Sequence, residues 1–172
     1  MRAKSRPFVV FALALTLGVV SLVSTAAGGG THGSKTLVID LTTRTVQEED
    51  IDLGAPGPSV GDRFVFSDDV FRGGHKVGVD GGECVVVRLA PDPLPPGQEP
   101  TSATLNCVAT VELPEGQVTL QGLVTFSEAS GPSFTIAITG GTGAYRTAHG
   151  EATVTEGEDE DAPDQLRLEL IL

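Results

Sequence analysis

The sequence predicts an all-β fold, a single closed antiparallel barrel of eight strands joined up-and-down, and three observations carry that prediction. After residue 35, apolar and polar residues alternate with a period of two in run after run, and almost nothing keeps a helical period. Gly, Pro, Asn and Asp separate the runs at hairpin spacing. The runs number about eight, and closing that many hairpin-linked strands on themselves removes the sticky edges a sandwich would leave. A barrel of this size is filled by its own side chains or holds one small ligand.

The elements follow in order. Residues 1–27 read as a signal peptide: Arg2, Lys4 and Arg6 form a basic start, Phe8 to Val23 an apolar stretch and Ser24 to Ala27 a small-residue exit. That stretch of 16 residues falls short of the roughly 20 a membrane-spanning helix needs. Cleavage after Ala27 leaves a flexible Gly-rich stub, 28–34, and a barrel domain, 35–172. Strands are expected at Lys35–Thr43, Val60–Ser67, Lys76–Val79 and Glu83–Ala90, with residues 44–59 a loop holding at most a short strand. Pro91 to Pro100 carries five prolines, cannot feed a ladder and reads as a stiff surface loop.

The clearest strand runs from Thr104 to Leu113, with Leu105, Cys107, Ala109, Val111 and Leu113 on one side. The next run inverts parity, placing Val118, Leu120, Gly122, Val124 and Phe126 together. Opposed residues of an antiparallel pair share a face. A two-residue turn at Glu115-Gly116 therefore sets Leu113 against Val118 and Val111 against Leu120, whereas a three-residue turn opposes apolar to polar. The same test lets Phe126 face Phe134 and Val154 face Leu166, with the acidic run from Glu156 to Asp161 as a hairpin tip. The last strand shows Leu166, Leu168, Leu170 and Leu172 on one face.

Charge and cysteine usage narrow the partners. Without the three leader cations, eight basic residues stand against 23 acidic ones, a formal −15, which suits neither nucleic acid nor an anionic membrane surface. An even cysteine count in an exported chain points to one disulfide, Cys84 to Cys107. If their strands pair around the Pro-rich loop, the two face each other directly. No metal is expected: the acidic run lacks the ligand spacing of a calcium loop, and His32, His75 and His149 bear no ligand-like spacing to the cysteines.

Gly140-Gly-Thr-Gly-Ala-Tyr-Arg-Thr-Ala-His-Gly150 sits between two alternating segments. It resembles the glycine–aromatic–Arg signature shared by dirigent proteins and allene oxide cyclase-like barrels. The strings Gly61 to Phe71, Lys76 to Val87, Glu115 to Gly122 and Ile136 to Gly143 occur in the order of the plant allene oxide cyclase barrel. The resemblance implies a secreted barrel that binds a small hydrophobic molecule and guides its cyclisation or isomerisation without a cofactor, as an isomerase and as a homo-oligomer, commonly a trimer. A non-catalytic extracellular carrier or structural barrel is the alternative, since it needs the same scaffold.

The resemblance also nominates residues. Asp40, in Leu37-Val-Ile-Asp-Leu-Thr-Thr-Arg44, falls where the plant enzyme has its acid, and Asp68 where that family has a water-holding asparagine. Both are candidates for catalysis. Cys84 matches a cavity cysteine, whose thiol is lost if bridged. Tyr145 and Arg146, read as beginning the strand after the glycine turn, are candidate ligand contacts, the guanidinium as an anion contact at the mouth. Each has a structural reading beside it: parity puts Asp40 with Val38 and Thr42 on the more polar face, Arg146 has many acids to pair with, and Asp68, Asp69 and Asp80 lie at or next to expected strand ends, where Asp closes turns. A phosphate cradle at the glycines is excluded because no helix opens after them.

Overall fold

Eight strands in chain order close into one antiparallel barrel: β1 (Thr36–Ile51), β2 (Arg63–Arg72), β3 (His75–Ala90), β4 (Ser102–Leu113), β5 (Gly116–Ser127), β6 (Ser133–Gly141), β7 (His149–Thr155) and β8 (Asp164–Ile171). The computed structural model describes residues 35–54, 56–159 and 162–172. The signal peptide expected at 1–27 and the stub expected at 28–34, with His32 in it, lie outside them. β8 pairs back onto β1, so every strand has a paired neighbour on both sides. Among the described residues no helix is long and apolar enough to cross a membrane.

Alternation places the core as the sequence requires. Leu166, Leu168 and Leu170 of β8 are buried, and Val154 opposes Leu166. On β4 and β5 the inward sets are the predicted ones, but the turn is Pro114-Glu115 rather than Glu115-Gly116, so Val111 opposes Val118 and Ala109 opposes Leu120. Pro114 has no N–H to give a ladder, and Pro second with Gly fourth suits the commonest β-turn. A slip of two residues keeps every face, which is why the core survived it. Phe126 and Phe134 are not ladder partners, since β5 and β6 pair only from Val118–Gly141 to Gln121–Ala137; their rings nonetheless meet edge to face, 6.0 Å apart.

Three strands are longer than expected. β1 continues to Ile51 through an irregularity between Thr45 and Gln47, where an extra residue breaks the alternation that marks a strand. β2 begins later and runs to Arg72, which brings Asp68 and Asp69 into a strand. The segments Lys76–Val79 and Glu83–Ala90 are one strand, because the glycines between them admit a neighbour and do not break the ladder: a Cβ on Gly82 would lie 2.4 Å from the Val108 carbonyl oxygen.

The two ends of the barrel differ. One carries the two-residue turns after β2 and β4 and a single 3₁₀ turn, Gly143–Tyr145, between β6 and β7. A 3₁₀ turn therefore stands where the sequence suggested that a strand begins at Tyr145; β7 starts only at His149. The turn folds over the β4–β5 hairpin, with the Ala144 N–H donating to the Glu115 carbonyl at 2.8 Å and the Thr142 hydroxyl accepting from the Gln117 N–H at 3.0 Å. Gly143 makes that closeness feasible: its φ is +58° and a Cβ there would sit 2.4 Å from the Glu115 carbonyl oxygen. Beneath lie Val70, Val111, Val118, Leu168 and Leu170, all essentially unexposed. This end is a packed floor.

Cys84 opposes Cys107 in the β3–β4 ladder and the two are bridged. The bridge closes a loop of 23 residues around the proline-rich segment. On the chain-entropy account that constraint stabilises the barrel by about 3 kcal/mol. A Cys84→Ala/Cys107→Ala variant should thus lose about that much in urea unfolding, with the signal of a folded barrel retained. A loss below about 1 kcal/mol would mean that the unfolded chain is held compact by something else.

Candidate functional site

The other end of the barrel, ringed by the connections after β1, β3, β5 and β7, opens into a cavity of about 290 Å³. Its upper walls are aromatic. Phe64 and Phe66 stack on β2 with centroids 5.8 Å apart, and Phe126 meets Phe134 across it. Leu105, Leu120, Ile136, Val154 and the Cys84–Cys107 bridge continue the apolar lining.

Into this lining project two acids. Asp68 on β2 and Asp80 on β3 are direct partners in the ladder, and each is only 8% exposed. Parity explains both: Asp68 follows Phe64 and Phe66 at steps of two, and Asp80 shares a face with Cys84, four residues on. Burial pushes the Asp80 carboxyl up to about 8, and the charge of Asp68 beside it adds to that. Burial raises Asp68 as well, against hydrogen bonds from Asp80 and Thr45 that favour its ionised form. At neutral pH Asp80 therefore keeps its proton, beside Asp68. Oδ1 of each acid accepts no hydrogen bond from the described residues. Two buried oxygens beside the cavity are therefore left without a partner.

Three further acids, Glu48, Glu156 and Asp164, line the cavity toward the mouth, and no Lys, Arg or His lines it among the described residues. Asp164 is partly committed, accepting from the Gly157 N–H at 2.8 Å. Among the described residues no group of three or more His, Cys, Asp and Glu is arranged to hold a metal ion.

The structure separates the residues that the sequence grouped. Asp68 reaches the cavity; it sits within a strand, not at the strand end that a turn-closing role required. Asp40 does not reach the cavity. It stands on the outer face of β1, opposite Arg167 of β8, whose Nη1 donates to its Oδ1 at 2.7 Å. Tyr145 is buried in the floor, its hydroxyl donating to Glu115 Oε2 at 3.2 Å, and Arg146 is exposed at the end of the 3₁₀ turn. Both lie at the end of the barrel opposite the mouth, so neither contacts the cavity. Cys84 lines the cavity but brings no thiol. Asp80, Glu48 and the four phenylalanines were not singled out as site residues from the sequence. The two-residue step from Phe64 to Asp68 and the even spacing of Asp80 from a bridged cysteine were the signals that point to the acids.

A closed eight-stranded barrel, packed at one end and open at the other onto an apolar cavity with buried acids, defines a class of small-molecule-binding barrels. The allene oxide cyclase barrel-like domain family matches residues 41–164, and this chain belongs to that family. Among solved structures it is similar to a pyocyanin demethylase, with 32% identity over 78% of this chain and 99% of that one and a TM-score of 0.65. It also shares its fold with AbnU, an exo-specific intermolecular Diels–Alderase (16% identity, 80% of this chain and 97% of that one, TM-score 0.62). The pterocarpan synthase dirigent protein GePTS1 has the fold as well (18% identity, 80% and 83%, TM-score 0.52). No curated protein matches the chain significantly.

Proposed function

We propose that the barrel binds a small, largely apolar molecule in its open end and isomerises or cyclises it by proton transfer, without a cofactor. The observation that carries this reading is the Asp68–Asp80 pair, two acids facing each other across the β2–β3 ladder and buried side by side in an apolar cavity. Asp80 gives a proton to one atom of the ligand while Asp68 takes one from another. The pair ends with its proton count unchanged, and no electrons leave the ligand. Such acid–base work contributes typically 10²–10⁴-fold when the groups sit in a dry site with matched acidities. The similarity to a demethylase at 32% identity supports an enzyme over a carrier. In the same reading the chain is exported after cleavage behind Ala27, which suits its disulfide, and works as a homo-oligomer.

The test starts from native mass spectrometry of the protein recovered from its own host, which gives the mass of a co-purifying ligand and of the oligomer. That ligand, incubated with the protein in D₂O, should take up carbon-bound deuterium or change isomer. Asp68→Asn and Asp80→Asn should each slow this by about 100-fold or more while binding persists, and Asp40→Asn should leave the rate alone. Binding with no exchange and no conversion in the wild-type protein would make the barrel a carrier.

A further inference from the structure

We infer that the ligand is a flat aromatic or heteroaromatic molecule bearing a positive charge, and that the mouth rejects anions of the same shape. The inference rests on the ligand-binding reading above and names the class of ligand. Two sets of observations meet in one place. The walls present aromatic faces, Phe64 stacked with Phe66 and Phe126 crossing Phe134, and a cavity of about 290 Å³ suits a molecule of two or three fused rings. The charged groups are all of one sign: Glu48, Glu156 and Asp164 toward the mouth, Asp68 and Asp80 deeper, with no described cation among them.

The acids alone would be a solvated surface, but the inner two are not solvated. Asp68 and Asp80 line the cavity, are more than nine-tenths buried, and each keeps an Oδ1 without a hydrogen-bond partner. An unpaired acceptor in such a place is satisfied by an N–H or a cation of the ligand, and an anion would meet repulsion at both depths. Phenyl faces add attraction for a cation. Nearby basic residues are turned away: Arg44 packs over the Phe71 ring, with its guanidinium carbon 5.9 Å from the centroid, and Arg63 pairs with Glu83, both exposed.

Three tricyclic probes of equal shape decide it: N-methylacridinium, 9-hydroxymethylanthracene and anthracene-9-carboxylate, titrated into the full mature protein by fluorescence at low salt. The cation should bind at least about ten-fold more tightly than the neutral probe, and the anion more weakly than either. Glu48→Gln/Glu156→Gln, at two exposed rim positions, should narrow the gap between cation and anion several-fold, and added salt should narrow it too. If all three bind alike, or the anion binds best, the charge inference is wrong while the cavity remains a ligand site. If none binds, both this inference and the ligand-binding reading fall.

Discussion

Unfolding free energy should fall as the pH rises from about 4 to about 8, by up to about 1.4 kcal/mol per unit, and Asp80→Asn should flatten that slope. Asp80 keeps its proton in the folded barrel until about pH 8, whereas in the unfolded chain it releases it near the ordinary carboxylate range. Between those limits the folded state binds more protons, so raising the pH favours unfolding; above and below them this group contributes no slope. Asp68, also raised by burial, acts in the same direction. Asp62, lowered by hydrogen bonds from the Leu53 and Ser59 N–H groups, acts in the opposite sense, but only as the pH falls through its own lower range. Maximal stability is thus expected on the acid side of neutrality.

An amide at position 80 keeps the volume and can still donate to Asp68, so Asp80→Asn should be more stable than the parent at neutral pH by a few kcal/mol. Urea unfolding across the pH series reads both effects. A parent profile flat from about pH 5 to 8, or a variant profile parallel to it, would show that the two acids are solvated. A barrel that gains stability when a buried acid is neutralised has kept that acid at a cost to its fold, as sites of binding and catalysis commonly do.

The fold was legible because a barrel writes its inward face as a period of two. The leucines of β8 and the apolar set of β4 and β5 needed nothing else, and the Cys84–Cys107 pairing followed from the same arithmetic. The alternation was blind wherever an extra residue or a glycine interrupted it. The irregularity near Val46 hid half of β1, and with it Thr45 and Glu48; Gly81 and Gly82 cut β3 in two and made Asp80 look like a turn residue. Likeness to an enzyme family could not correct this for Asp40, whose side of β1 is set by the leucines and isoleucine on either side of it. The parity of Asp40 already pointed outward, whereas for Asp68 the family position led to the cavity and the strand-end reading did not.

Val111→Asp should abolish folding at physiological temperature, whereas Thr119→Asp should be mild. Val111 is 1% exposed in the packed floor, opposing Val118 on β5 and Asp80 on β3. Its neighbour on β3, Asp80, is itself an acid and offers a new carboxylate no counter-charge. The new carboxylate must be buried unpaired or held protonated, and either costs several kcal/mol, with the loss of the valine's packing added. That is a large part of the roughly 5–15 kcal/mol that separates folded from unfolded chains. Thr119 is one strand away, on the outer face, its hydroxyl hydrogen-bonded to that of Thr139, and water can reach a carboxylate there. Thermal melts by circular dichroism compare the two. A Val111→Asp protein melting within a few degrees of the parent would mean that water penetrates the floor, and the distinction between a packed end and an open one would be lost.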